Sequence, residues 1–282
     1  MELEILRNIQ SIANPFLDIL FQLITICGEQ MVLVLIISII YWVKDKKFGE
    51  YIAYAVLTSV LVNCVVKDIF KFKRPIGEEG IRTLREKTAT GYSFPSGHTQ
   101  GAGSFYGAMA IYIKKKVMYI IAIIMIILIG FSRLYLGVHY PKDVIVGGIL
   151  GVLISYICYN IYNKYENKIM VYTITFIIFL PALTFAHSED FIKGLGAYFG
   201  FLIGMFIEKR YVNFSAEGKG INKVIRVVIG VLILLCLQKG LKIVLPSEAI
   251  FSFIRYSIIS IFGIGIYPMI FKIGRASCRE RV

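Results

Sequence analysis

Apolar residues along this chain gather into ten long runs separated by short polar connections, at about 10–27, 29–43, 50–70, 98–113, 117–137, 143–162, 169–187, 190–207, 224–245 and 249–272. Most approach the ~20 residues that an α-helix needs to cross a bilayer. The pattern predicts an all-α, polytopic transmembrane helix bundle with no soluble domain of any size. The first run is the weakest, being short and interrupted by Asp18 and Gln22. It reads either as a span or as an amphipathic helix lying in the interface. The charge pattern of the connections favours a span, and a span is expected.

Those connections alternate in charge. Lys44, Lys46 and Lys47 follow the second run, and Lys114, Lys115 and Lys116 the fourth. Lys164 and Lys168 follow the sixth, and Lys209, Arg210, Lys219, Lys223 and Arg226 the eighth. Alternate connections share one side, and an excess of Lys and Arg marks that side as cytoplasmic. The intervening connections at 28–30, 187–190 and 246–248 carry neither residue. Both termini are then expected in the cytoplasm. Composition agrees: 57% of residues are hydrophobic and only 17% charged, so a soluble or disordered chain is excluded. Five cysteines, mostly within apolar runs (Cys64, Cys158, Cys236), exclude a disulfide scaffold. The formal charge of +13 is large for so few charged residues, and its placement is informative.

Two outward segments break the charge rule. One, 67–94, holds Lys67, Lys71, Lys73, Arg74, Arg82, Arg85 and Lys87; the other, 132–143, holds Arg133 and Lys142. Contact with anionic headgroups accounts for scattered members such as Lys87 or Lys142. It does not account for the histidines beside them. Of three histidines in the chain, His98 lies just after the first segment and His139 within the second, while His187 reads as an interfacial polar residue. Lys67 and Arg74, seven apart and followed by the helix-stopping Pro75, are expected on one helix face. Pro95-Ser96-Gly97-His98 is a turn opening a helix, with free N–H groups and a hydroxyl. His139 and Asp143 have the i,i+4 spacing that lets a carboxylate hold an imidazole. Two histidines and a carboxylate suit zinc as well, but Lys67, Arg74 and Arg133 would repel a dication; the basic pocket suits an oxyanion.

Lys67-x6-Arg74-Pro75, Pro95-Ser96-Gly97-His98 and Ser132-Arg133-x5-His139-x3-Asp143 resemble the three motifs of the type 2 phosphatidic acid phosphatase superfamily, in its membrane lipid phosphatase branch. The resemblance covers about residues 10–162. It implies a six-helix phosphatase core over 1–165 and about four extra C-terminal helices over 166–272. It implies a metal-independent phosphohydrolase, without cofactor, working through a phosphohistidine. In that reading His139 is the nucleophile, Asp143 orients it, and His98 is the acid and later the base. Lys67, Arg74, Ser96, Gly97 and Arg133 bind the phosphate.

The expected partners are the bilayer and a membrane lipid phosphate or diphosphate, not nucleic acid. Undecaprenyl diphosphate, phosphatidylglycerol phosphate and phosphatidic acid are common substrates of bacterial relatives. A non-catalytic lipid transporter or scrambler on the same fold is the competing reading. The expected location is the plasma membrane, with the active site on the extracytoplasmic side. The last segment, 273–282, reads as in-frame translation of a sequencing adapter and is set aside.

Overall fold

The structure, a computed structural model, describes residues 1–218 and 220–271. The 273–282 tail lies outside them. Eleven α-helices occur among the described residues: α1 (Glu2–Gln10), α2 (Pro15–Ile26), α3 (Gln30–Ile39), α4 (Lys46–Phe70), α5 (Gly97–Ile113), α6 (Lys116–Tyr135), α7 (Pro141–Lys164), α8 (Lys168–Phe179), α9 (Glu189–Ile207), α10 (Gly220–Val244) and α11 (Ala249–Ile261). Single π-helical turns extend α3 to Lys44, α9 to Val212 and α11 to Ile266.

Local chemistry sets the boundaries. Asn14, Asp45, Ser96, Asn167 and Ser188 each accept an N–H from the first turn of the helix they precede, satisfying donors that the helix leaves unpaired. Lys71 and Lys114 adopt the left-handed conformation just past α4 and α5, which stops both helices.

The all-α bundle is that of a multi-pass membrane protein. Among the described residues, six helical stretches are long and apolar enough to cross a bilayer: Lys46–Phe70, Lys116–Tyr135, Pro141–Lys164, Glu189–Val212, Gly220–Val244 and Ala249–Phe271. The remaining four of the ten runs form shorter helices. Gln30–Lys44 and Lys168–Thr184 are shorter apolar helices, and α5, with 17 residues, rises about 25 Å against a hydrocarbon core of about 30 Å.

Call the end where α4 finishes and α5 begins the upper end. The first run then differs from its expectation. Its residues form α2, which is bent by 119° from α1, and both helices lie at the upper end. Arg7 donates to the Glu79 carbonyl, Gln10 to the Arg82 and Tyr135 carbonyls, and Lys142 pairs with Glu2 at 2.9 Å. Asp18 takes a two-pronged pair from Arg82 at 2.7 Å and a bond from the Tyr135 hydroxyl at 2.6 Å. Thr25, near the end of α2, still meets Arg133, near the upper end of α6. So α2 does not descend through the bundle, and Glu2–Gln10 sits at the end opposite Lys44–Lys47. The polar residues that weakened this run, Asp18 above all, are committed to partners in the upper loop.

Two helix pairs are set by small residues. A Cβ at Gly151 of α7 would fall on the Gln100 carbonyl of α5, and one at Gly103 of α5 would meet the Gly148 carbonyl at 2.7 Å. On α9, Gly196 and Gly200 lie against the backbone of Phe253 and Ser257 of α11. Close backbone approach of this kind is what holds helices together where lipid removes the hydrophobic drive. One buried apolar cluster runs from Leu33 and Tyr51 through Tyr172, Phe191 and Phe201 to Phe271, without a break near residue 166. Buried polar links reinforce it. Lys46 meets Glu208 and Lys209 meets Glu50, each at 2.6 Å, at the lower end.

Candidate active site

The upper ends of α4, α5, α6 and α7 bring seven of the eight expected site residues to one place, and the eighth, Arg74, arrives from a loop. Helix α4 ends at Phe70, four residues short of Arg74. The expectation that Lys67 and Arg74 share a helix face is therefore corrected. Arg74 precedes a proline, which disfavours helical backbone. Phe72 is drawn away to stack near Phe70 and Phe94 and accepts the Ser93 N–H at 2.8 Å.

The pocket is built around His139. It lies between α6 and α7 and is 1% exposed. Its Nδ1 is 3.3 Å from Asp143 Oδ2, and its Nε2 is 2.8 Å from Arg74 Nη1. A guanidinium only donates, so Nε2 is the accepting nitrogen and Nδ1 carries the proton facing Asp143. The i,i+4 pair thus forms across a helix start rather than on a helix face. Asp143 sits in the first turn of α7, and its Oδ2 also accepts the Tyr140 N–H at 2.9 Å. Burial, with Arg74, Lys67 and Arg133 nearby, holds the His139 imidazole well below its ordinary range. The ring is neutral at pH 7.

The cations surround this pair. Arg74 is clamped by three carbonyls: Gly91 at 3.0 Å, Thr90 at 2.6 Å and Val138 at 3.0 Å. Burial lowers its pKa to about 10, with Asp143 and Asp190 opposing the shift. Lys67 donates to the Tyr92 carbonyl. Arg133, fully buried, gives one bond, from Nη1 to Thr25 Oγ1 at 2.9 Å; its Nε and Nη2 are buried with no hydrogen-bond partner. His98 Nε2 and Asp143 Oδ1 are likewise buried and unpartnered. Ser96 caps α5, its Oγ accepting from the Thr99 hydroxyl at 3.0 Å, which leaves its own proton to give. Gly97 opens the same helix. His187 lies exposed in the connection before α9.

Sequence reasoning missed four contributors. Ser93, fully buried, donates to Asp143 Oδ2 and lies 3.4 Å from His139 Nδ1; its position three residues before Ser96 was the available signal. Arg85 enters from the upper loop, pairs with Glu29, and buries an unpartnered Nε. Asn63 and Gln100 join α4 to α5 beneath the site, Asn63 Nδ2 donating to Gln100 Oε1 at 2.8 Å and to the Pro95 carbonyl at 3.3 Å. Chemically, this is a neutral imidazole with an oriented lone pair, ringed by donors that lack acceptors.

Comparison with known proteins identifies the family. The PAP2 superfamily model matches residues 49–167, and a second, for the PAP2 superfamily phosphatase transmembrane extension, matches 192–278. Phosphatidylglycerophosphatase B of Bacillus subtilis (strain 168) is 31% identical over 159 residues, 52% of this chain and 75% of that protein. The chain belongs to the PAP2 superfamily. An undecaprenyl-diphosphatase from Sulfolobus acidocaldarius is 33% identical over 119 residues, 42% of this chain and 57% of its own length. Among solved PAP2 structures, the phosphatidylglycerolphosphate phosphatase of Bacillus subtilis superposes with a TM-score of 0.51 at 28% identity, covering 58% of this chain and 85% of that one. Aquifex aeolicus LpxE superposes with a TM-score of 0.51 at 27% identity, covering 56% and 94%.

Proposed function

We propose that this chain is a metal-independent phosphohydrolase that removes phosphate from a membrane lipid phosphate or diphosphate through a phosphohistidine on His139. The observation that carries the reading is Arg133. A fully buried guanidinium with two donor nitrogens unpartnered, beside His139, is costly unless an anion completes it. The names of the relatives, a phosphatidylglycerophosphatase and an undecaprenyl-diphosphatase, support a lipid phosphate as substrate.

As Arg74 Nη1 turns from His139 Nε2 to the phosphate, the freed Nε2 lone pair attacks phosphorus in line with the leaving oxygen. Asp143 holds the Nδ1 proton and stabilises the charge that the ring acquires. Lys67, Arg74, Arg133, the Ser96 hydroxyl and the Gly97 amide take the equatorial oxygens, whose charge grows in the transition state. His98 gives a proton to the leaving oxygen, then takes one from the water that cleaves the phosphohistidine, returning Nε2 to its lone pair. The lysine-rich lower end is assigned to the cytoplasm and the site to the opposite face. A lipid headgroup reaches it there with its tail still in the bilayer. Residues 1–165 are assigned the chemistry and 166–272 its support.

The test is phosphate release in detergent with EDTA from undecaprenyl diphosphate, phosphatidylglycerol phosphate and phosphatidic acid, with a search for acid-labile labelled phosphoprotein. Wild type is expected to release phosphate and to trap the label, and His139→Ala to do neither. Turnover retained by purified, folded His139→Ala would sink the assignment.

A further inference from the structure

Helices α8–α11 carry none of the eight site residues, yet one of them touches the machinery. Three successive carbonyls, of Thr90, Gly91 and Tyr92, hold two of the site's cations: the first two take Arg74 and the third takes Lys67. This stretch is exposed and belongs to no helix. Nothing in its own backbone fixes it on the side away from Ser93. What fixes it is the Thr90 hydroxyl, which donates to Asp190 Oδ2 at 2.7 Å. Asp190 stands in the first turn of α9 and is therefore rigid. The start of α9 is in turn seated on α4. Ser188, the residue that caps α9, donates through Oγ to Asp68 Oδ2 at 2.7 Å, one residue from Lys67. Next to Asp190, Phe191 is fully buried in the main apolar cluster.

We infer that Asp190 is a positioning residue: through Thr90 it sets the carbonyl row that aims Arg74 and Lys67 at the phosphate, so that the C-terminal helices complete the clamp. Neither family match includes residue 190, since one ends at 167 and the other begins at 192. The inference rests on the proposed function for its use in catalysis, but the tether itself is testable with a simple anion. Asp190 touches no substrate in this arrangement. Beyond a Coulombic pull on Arg74, its carboxylate acts on the side chains by way of the loop.

The probe is orthovanadate, titrated into the full-length purified protein in detergent. Loss of one hydrogen bond that holds a loop is expected to weaken binding about three- to tenfold. Asp190→Ala and Thr90→Val are each expected to show this loss. The double variant is expected to be no weaker than either single one, because both remove the same contact. Asp190→Asn keeps an acceptor and Thr90→Ser keeps a donor, so both are expected to rescue binding. Thr90 is exposed, so its variants keep the fold. With a lipid substrate, the same variants are expected to raise KM and lower kcat/KM.

Wild-type affinity in Thr90→Val would overturn the inference. So would additive losses in the double variant, or Asp190→Asn as weak as Asp190→Ala, because charge rather than the tether would then be responsible. Coupled losses of vanadate affinity in a protein that releases phosphate from none of the lipids would support the tether and overturn the proposed reaction. Lipid turnover with vanadate affinity indifferent to both residues would do the reverse. A wild type that binds no vanadate would overturn both.

Discussion

At the residue scale, His139 is governed by what each ring nitrogen faces. Arg74 on Nε2 and Asp143 on Nδ1 select one tautomer, and burial among cations keeps the ring neutral. Because the folded imidazole titrates below its ordinary range, the acid limb of kcat/KM is expected below pH 6.5. Removing a neighbouring positive charge favours the protonated ring and raises its pKa. The limb in Arg74→Gln is therefore expected to move to higher pH, along with a fall in rate; a pH–rate profile of both proteins checks the sign. Ser93 makes the third contact. Its hydroxyl bonds the carboxylate that orients the ring, and a hydrogen bond to a charged group is worth about 1.5–3 kcal/mol. Ser93→Ala is expected to lower kcat about 10- to 100-fold, with KM little changed, in steady-state assays. The eight site residues were legible because their types and spacing survive translation into one dimension. Ser93 and Arg85 were not, since a serine or an arginine in a polar loop has no pattern of its own until the fold shows what it faces.

At the element scale, the site depends on how closely α5 and α7 approach. Helix α5 brings Ser96, Gly97 and His98, and α7 brings Asp143. Gly151 allows the contact. Gly151→Ala puts a methyl against the Gln100 carbonyl, an overpacking that costs about 1–3 kcal/mol. Activity is expected to fall more than thermal stability, because the two halves of the catalytic apparatus separate. Phosphate release and a thermal unfolding curve, measured on the same preparation, distinguish these losses. Elements were legible where hydrophobicity alone decides them: the cores of α4 to α11 all fall within expected runs. Two boundaries were not. The α4 terminus came four residues early because Phe72 has partners off the helix axis, which no periodicity records. Residues 10–27 were read as a span because twelve apolar-rich residues look alike whether they cross a bilayer or lie along one end of a bundle. Asp18, bonded to Arg82 and Tyr135, decides between them.

Across the whole molecule, the lower end is joined by charge. Glu208 is fully buried, pairs with Lys46 and accepts the Phe214 N–H at 3.1 Å. Glu208→Ala removes the ion pair of Lys46, which keeps a hydrogen bond to Asn213 Oδ1 at 3.4 Å, and leaves that amide without its acceptor. It is expected to destabilise the protein by about 3–5 kcal/mol, visible as a lower midpoint in detergent unfolding. The upper end is joined by α1 and α2, whose contacts place Glu2 beside Lys142. Reporter cysteines at Glu2 and Lys142, in a background without the native cysteines, are expected to react with an impermeant maleimide from the same side of sealed vesicles. One at Lys115 is expected to react from the other. That arrangement bears on how the chain is made. With the site on the extracytoplasmic face, as proposed above, residues 2–29 would be exported ahead of α3, the first helix to run from the upper to the lower end. Those residues hold Glu2, Glu4, Asp18 and Glu29 against Arg7, whereas Lys44, Lys46 and Lys47 follow α3. Retention of Lys and Arg on the synthesising side then threads an acidic N-terminal segment outward and pins the lysines behind it. The helix pair at the mouth of the pocket would leave the cell's interior ahead of the helices that carry the site.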